Sequence, residues 1–452
     1  MPTLHTLLAL VPLRNTQRRF LSILLVVWLA VPGRLNAAQF ARYSGMNEKT
    51  LRNWFCTELP WMTLHTTLVE QLMESGHVSQ TLILGIDASF VPKSGTATAG
   101  VGNFWNGCHS RVEQGLELSC CSLISVHDRQ AFPVHVQQTQ PTTATTDNRT
   151  EQYNAQLSSV LTDLPTKLKA ALRAVVGDGQ YAKKCFMDTV TQHGLALVSV
   201  LDKAARLEQN GTYRACSPTG PVRKLQRNAD LLYRAVSVPN GKRGRPRKYQ
   251  GKVDLHDLER WDLEHEDSRE RSFTLVVYAP RFGRDLRVVV VQRLDRMGRV
   301  QSQAVLCSTD VSMTAEEVQR LYAARFEADR PGRRAGPVGA VLLKTCRFVQ
   351  DMEFVFRDAK QYAGLTTCQM RSSLALHTHW NVALLTVSLV RAHALQGLEQ
   401  GQDLVFGMED AKRRAYNALY TRHLLSHLGQ EARFDEIASI PSGPLDFGLK
   451  AA

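Results

Sequence analysis

Apolar and polar positions in residues 1–75 repeat with the period of a helix, which predicts an all-helical N-terminal domain. Asn36 and Asn47 are each placed to cap a helix, and Gly45 lies at the turn between them. Helix, short glycine turn and helix make a helix-turn-helix-like pattern that ends at Phe55. Any small helical hairpin has the same punctuation, so the pattern leaves a purely structural role open.

The second helix of this pair would enter the major groove if the domain binds DNA. Lys49 and Arg52 lie on it and are the candidate DNA contacts. Just upstream, residues 20–31 are apolar and follow Arg18 and Arg19, which is a pattern typical of a signal peptide. The alternative is a buried helix, and we favour it because a predicted DNA-binding helix pair follows.

After residue 80 the pattern changes to short apolar runs that alternate with helical stretches, which predicts a mixed α/β sheet. The predicted strands lie at 81–86, 115–126, 132–138, 174–176, 195–201, 272–279 and 286–292. The predicted domains are an N-terminal helical domain (1–75), the first part of an α/β core (80–202), a β-rich insertion with a basic loop (203–310), the remainder of the core (311–395) and a C-terminal helical region (396–452).

The chain carries a formal net charge of +13, which favours a polyanionic partner such as DNA, RNA or an anionic membrane surface. Its nine cysteines include no C-x-x-C pair, so neither a disulfide framework nor a structural zinc site is expected. A reducing cytosol is therefore the expected compartment. Cys120 and Cys121 are adjacent, so on a strand they would face opposite sides.

Two aspartates end short hydrophobic runs and begin turns: Asp87 follows Leu-Gly-Ile, and Asp178 follows Val-Val-Gly. Carboxylates at neighbouring strand ends repel one another unless a cation lies between them, and Mg²⁺ prefers such oxygen ligands. Turn capping is the alternative role for each aspartate taken singly.

Two later segments read as helices with chemistry on one face. Glu353, Phe356 and Lys360 are three and four residues apart, so they share a face of one helix. Upstream, Tyr322 and Arg325 are three apart on a helix that is predicted to begin near residue 314.

These segments resemble the bacterial insertion-sequence DDE transposases that carry a Tyr-Arg-Glu-Lys signature. The signature places Tyr, two residues, Arg, three residues, Glu, six residues and Lys on one helix. The matching segments are Gly85-Ile86-Asp87, Lys93-Ser94-Gly95, Gly177-Asp178-Gly179-Gln180-Tyr181, Gly244-Arg245-Pro246-Arg247-Lys248-Tyr249, Cys307-Ser308-Thr309-Asp310, Tyr322-Ala323-Ala324-Arg325 and Glu353 to Gln361.

The resemblance implies an RNase H-like core in which Asp87 ends the first strand, Asp178 ends the fourth, and Glu353 lies on a following helix. It implies two Mg²⁺ ions, for which Mn²⁺ can substitute, held by these three acids for phosphoryl transfer. Tyr322, Arg325 and Lys360 would hold phosphates near the cut.

The implied partners are double-stranded DNA, both the terminal inverted repeats of the element and its target, and a second copy of the chain on that DNA. No membrane partner is implied, and a cytoplasmic, nucleoid-associated location in a bacterium is expected. Arg245, Arg247 and Lys248 also resemble a minor-groove-binding loop, although a solvated loop has the same composition.

The chain departs from the signature between its second and third members. Arg325 and Glu353 are separated by 27 residues where the signature has three, and the 24 extra residues fall at about 327–350. The insert contains Pro331-Gly332 and Gly336-Pro337, which cannot continue one helix. A catalytically inactive, decayed or repurposed transposase that only binds DNA is therefore the alternative hypothesis.

Overall fold

The computed structural model describes residues 2–142, 148–201, 231–234, 248–255, 257–325, 352–398 and 407–449. Five helices occupy the N-terminal part: α1 Pro2–Leu10, α2 Asn15–Ala30, α3 Ala37–Ser44, α4 Glu48–Phe55 and α5 Trp61–Glu74. The side chains of Asn36 and Asn47 accept backbone N–H groups of Gln39 and Lys49, each at 2.8 Å, and cap α3 and α4. Gly45 lies between them with a φ of +69°. The predicted helix pair is therefore confirmed as local structure.

The apolar segment 20–31 forms most of α2 and is packed inside the molecule. Phe20, Leu24 and Trp28 are at most 3% exposed. The Trp28 indole Nε1 donates to the backbone oxygen of Ala363 at 2.9 Å, far away along the chain. The interpretation of this segment as a buried helix is confirmed. None of the helices in the described ranges is long and apolar enough to cross a membrane.

The described strands form one mixed sheet. They are β1 Leu82–Pro92, β2 Gly102–Asn106, β3 Arg111–Ser125, β4 Ala131–Thr139, β5 Leu172–Gly177, β6 Ala196–Val200, β7 Leu232–Arg234, β8 Tyr249–Lys252, β9 Asp262–Glu266, β10 Glu270–Ala279, β11 Arg284–Leu294 and β12 Val300–Ser308. The order is β2-β3-β1-β5-β6-β12-β11-β10-β7-β8, with β4 on β3 and β9 on β10. Strands β1, β5 and β6 are parallel neighbours, and the other pairings are antiparallel.

The β-rich segment after residue 202 extends this sheet rather than forming a sheet of its own. Strand β12 pairs with β6, with Cys307 opposite Ser199, and β11 and β10 follow outward. Strands β10 and β11 contain the predicted strands 272–279 and 286–292. The basic residues Arg245 and Arg247 and the insert at 327–350 lie outside the described residues.

The remaining helices are α6 Arg149–Asp163, α7 Thr166–Ala171, α8 Lys184–Gln192, α9 Ala315–Ala323, α10 Met352–Gln361, α11 Ser373–Leu398, α12 Met408–His427 and α13 Phe434–Ala438. Short 3-10 turns lie at Gly179–Tyr181, Glu431–Arg433 and Pro444–Asp446. A separate hydrophobic core covers each face of the sheet: Cys121 belongs to the core with α2, α6 and α8, and Cys120 belongs to the core with α9 and α10. The prediction of an RNase H-like mixed sheet with helical N- and C-terminal regions is confirmed.

Two expectations about strand ends are wrong. Asp87 does not end β1 but lies in its middle, opposite Cys120, because β3 keeps β1 extended as far as Pro92, opposite Gly115. Asp178 follows the fifth strand along the chain, not the fourth, because the glycine-rich stretch before β3 forms the short strand β2.

Candidate active site

Asp87 lies where β1 loses one of its two neighbours. The parallel pairing of β1 with β5 stops at Gly85, opposite Val176, whereas the pairing with β3 continues beyond Asp87. Because side chains alternate along a strand, Asp87 faces the same side as Ile83, which belongs to the core with α9 and α10. Its side chain is 27% exposed, and its Oδ1 accepts the backbone N–H of Ala88 at 2.9 Å. The carboxylate therefore faces a half-open gap beside the end of β5.

Asp178 comes directly after β5 and begins the turn Gly179–Tyr181. Its Oδ1 accepts the backbone N–H of Gln180 at 2.8 Å, and its backbone oxygen accepts the hydroxyl of Ser199 at 2.7 Å. Gly177 is required before it, because a Cβ there would lie 2.7 Å from the Cβ of Tyr181. This tight turn holds Asp178 at the end of β5, beside the gap that Asp87 faces.

Glu353 lies in the first turn of α10 and is exposed. Helix α10 packs on β1 at Gly85: a Cβ built there would be 3.4 Å from the sulfur of Met352, the neighbour of Glu353. Gly85 and Asp87 are two residues apart and so face the same side of the sheet. The third acid thus begins a helix that touches β1 one side-chain position from Asp87.

The carboxylates of Asp178 and Glu353 both influence the pKa of Asp87. Burial raises the pKa of Asp87 to about 6, the Arg325 guanidinium opposes this rise, and the carboxylates of Asp178 and Glu353 add to it. Negative charges that act together on one carboxyl group make a site that attracts cations.

Arg325 supplies the nearest positive charge. Its Nη2 lies 3.3 Å from Oδ1 of Asp87, and its side chain is only 3% exposed. Burial opposes the charged form, but Asp87 and Asp178 hold the pKa of Arg325 above its ordinary value. Arg325 lies in the turn just beyond α9 rather than within that helix, and its N–H contacts the backbone oxygen of Tyr322 at 3.2 Å.

Tyr322 and Lys360 border the cluster from two helices. Tyr322 is 2% exposed in the last turn of α9, and burial raises the pKa of its phenol. Thr314 caps α9 by accepting the N–H of Glu317, so the predicted start of this helix is confirmed. Lys360 lies in the last turn of α10; burial lowers its pKa, and the Cys108 and Asp87 charges oppose that shift. Glu353 and Lys360 share one helix, as predicted.

The other candidates for DNA contact that the structure describes, Lys49, Arg52 and Lys248, are distant from these residues along the chain. Lys49 and Arg52 are exposed on α4, where Arg52 pairs with Glu48 one turn away. Lys248 is exposed just before β8. In the described parts of the chain, none of the three contacts Asp87, Asp178 or Glu353. Any stretch of DNA that they bind would therefore lie away from these three acids.

Three carboxylates are the kind of ligand that a hard divalent cation prefers, and Asp178 and Glu353 both act electrostatically on Asp87. As the side chains stand, however, no group of three His, Cys, Asp or Glu residues in the described ranges is arranged to hold a metal ion. The Arg325 guanidinium lies against Asp87, where it supplies the positive charge that the acids attract.

Sequence reasoning gave no role to Tyr181, Asp358 or Arg391. The Tyr181 hydroxyl is buried and has no hydrogen-bond partner in the described part of the chain, and its pKa is raised by burial and then by Asp87. Asp358 and Arg391 form a buried ion pair behind α10. Of the last two, only Arg391 had a signal in the sequence, because it is a lone charge within a long apolar helical stretch, whereas Asp358 lies among other charged residues.

A comparison with protein-family models identifies the family of this chain. The family model described as DDE superfamily endonuclease matches residues 3–277, which is more than half of the chain. The matched range contains Asp87 and Asp178 and ends before α9 and α10, so the position of Glu353 rests on the structure. No curated protein matches the chain.

Proposed function

We propose that this chain, which belongs to the DDE superfamily endonucleases, is the DNA transposase of an insertion sequence that cuts and joins the ends of its element. The observation that supports the proposal is that Asp178 and Glu353 both raise the pKa of Asp87, which lies where β1 loses its pairing with β5. Carboxylates that repel one another in a half-open gap are costly unless they serve a cation.

Asp87, Asp178 and Glu353 would hold two Mg²⁺ ions, for which Mn²⁺ can substitute. Bound there, such ions supply activation of a water or a DNA 3′-hydroxyl and stabilisation of the leaving oxygen. The buried faces of β1 and α10 keep the three carboxylates on one side of the sheet. Arg325 neutralises Asp87 in the structure through Oδ1, so a metal at Asp87 would use Oδ2 or displace the arginine.

Arg325 and Lys360 would then contact phosphate oxygens beside the cut. A guanidinium binds phosphate through two parallel N–H groups, whereas an ammonium acts as a point charge. Tyr322 stays protonated near neutral pH, because burial raises its pKa, so its hydroxyl would contact a phosphate through a hydrogen bond and not through a charge. These three side chains border the acids from the end of α9 and from α10, as the phosphate role requires.

The rest of the DNA would bind through exposed cations. Lys49 and Arg52 on α4 would contact the element ends, and Arg245, Arg247 and Lys248 would contact the backbone or minor groove. The net charge of +13 supports this extended contact. Pairing of two DNA ends would require a second copy of the chain, so we propose a homodimer on DNA.

A second candidate is a DNA-binding protein that does not cut. The observation in its favour is the Arg325–Asp87 contact, together with the lack of a ready three-residue metal site in the described ranges. If the Arg325 guanidinium takes the place of a metal ion at Asp87, only DNA binding remains.

The experiment is cleavage of DNA that carries the inverted repeats flanking the gene, with Mg²⁺ or Mn²⁺, alongside gel-shift binding. We expect metal-dependent cuts at the repeat ends, and a loss of at least about 1000-fold in Asp87→Asn, Asp178→Asn and Glu353→Gln, with binding retained. Asp435→Asn, an exposed acid on α13, is the matched control and should cleave normally. Cleavage that survives in all three variants sinks the proposal, and binding without any cleavage by the native chain supports the second candidate.

A further inference from the structure

Helix α10 carries both Glu353 and Lys360, so its rotation decides where two proposed site residues point. At 100° per residue these two lie about 20° apart around the helix, and Asp358 lies about 140° from Glu353, near the opposite side. A turn of only about 10° about the helix axis moves a side-chain end at a radius of about 5–6 Å by roughly 1 Å. A group that holds Asp358 in place therefore limits the rotation of α10, and with it the directions in which the Glu353 and Lys360 side chains point.

Asp358 is held by two arginines although it is almost completely buried. The Asp358 side chain is 2% exposed, and its Oδ1 accepts Nη2 and Nε of Arg357 at 2.9 and 3.2 Å. Its Oδ2 lies 3.5 Å from Nη2 of Arg391, which is 1% exposed on α11. Nη1 of Arg391 donates to the backbone oxygen of Ala131 at 2.8 Å. Arg391 therefore ties α10 to the first residue of β4.

Helix α10 does not need the buried ion pair in order to pack against the rest of the protein. Met352, Val355 and Ala359 already bury the inner face of α10, each at most 1% exposed. Apolar residues can replace buried ion pairs with no loss of stability, because removal of two charges from water is costly. What the pair adds is position: Arg391 is fixed by its hydrogen bond to the backbone oxygen of Ala131, so its charge attracts Asp358 toward one place beside α11.

We propose that Asp358 and Arg391 are positioning residues that set the rotation of α10, and with it the approach of Glu353 and Lys360 to Asp87. The proposal rests on the proposed function for its catalytic consequence. Its structural part, the rotation of α10, stands apart from cleavage and can be measured without it.

The test replaces the pair with apolar residues of similar size, Asp358→Leu together with Arg391→Met. We expect this double variant to melt at or near the native temperature and to bind end DNA as tightly as the native chain. Its single-turnover cleavage rate should fall by on the order of 10- to 100-fold, because a displacement of about 1 Å costs that much. It should also need more Mn²⁺ for half of its maximal rate.

A crystal structure of the double variant gives the second measurement. We expect α10 to be rotated by about 10° or more relative to β1. Asp188→Asn is the control, because it removes the negative charge that faces Arg284 between α8 and β11. It should change neither the cleavage rate nor the rotation of α10. Native rate and native rotation in the double variant overturn the proposal. A native chain that cuts no DNA overturns the proposed function, and the rotation then still decides the positioning role.

Discussion

Asp87 and Asp358 each face a buried arginine at a similar distance, 3.3 and 3.5 Å, yet the two pairs differ in every other respect. Asp358 is 2% exposed and is bound by a second arginine, Arg357. Asp87 is 27% exposed and is repelled by Asp178 and Glu353. The closed pair keeps opposite charges next to each other inside the protein, whereas the open pair has an excess of negative charge that an external cation could relieve. Charge balance, rather than burial, separates the candidate site from the scaffold.

The largest difference should appear when the same substitution removes either arginine. Arg391→Met leaves the buried Asp358 with Arg357 as its remaining arginine partner, so we expect a loss of about 3 kcal/mol in the free energy of unfolding, at the lower end of the range for a broken buried pair. Arg325→Met leaves Asp87 half-exposed and able to take up a proton, so we expect a loss of only about 1–2 kcal/mol. Urea denaturation at pH 7 measures both. Equal losses would mean that the two pairs are equivalent and that Asp87 is an ordinary structural carboxyl.

A second difference should appear as a function of pH. The folded pKa of Asp87, about 6, lies above the ordinary 3.8, so the native protein loses stability as the pH rises from about 4 to about 6. Asp87→Asn removes this loss. We expect the variant to gain on the order of 2 kcal/mol relative to the native chain between pH 4 and 6.5, and no more above that.

Urea denaturation of the metal-free proteins at several pH values gives this measurement. A constant difference between the two proteins across the range would show that Asp87 is not strained by its neighbours. The expected gain in stability on loss of the proposed activity is the usual signature of a site that is strained for function.

The sequence predicted the parts of this comparison that depend on neighbours along the chain. Asn36, Asn47 and Thr314 cap helices as expected, because a cap needs only the next three residues. The mid-strand position of Asp87 was missed, because β1 is extended by pairing with β3, whose residues come about 30 positions later. Such pairing leaves no local pattern.

The buried pair was missed for the same reason. Asp358 and Arg391 are 33 residues apart, and each reads singly as a helix-surface charge. Only the packing of α10 against α11 brings them together. That Asp178 and Glu353 act with Asp87 was expected only from the resemblance to a family, because no spacing in the chain specifies it, and both acids do raise the pKa of Asp87.

The smallest expected effect tests how closely the open pair depends on α10. Gly85→Ala would place a Cβ 2.8 Å from Cδ1 of Ile124 and 3.4 Å from the sulfur of Met352. Both contacts are with flexible side-chain ends that can move, so the free energy of unfolding should fall by only about 1 kcal/mol. Ile124 must move to make room for the new Cβ, and because Met352 contacts the same position, we expect α10 and Glu353 to shift by a few tenths of an ångström. We expect cleavage to slow by roughly 10-fold, less than for a full 1 Å displacement. Gly107→Ala is the matched control, because a Cβ there meets nothing within 4 Å. If Gly85→Ala cuts as fast as Gly107→Ala, close packing of α10 on β1 is not what brings the third acid to Asp87.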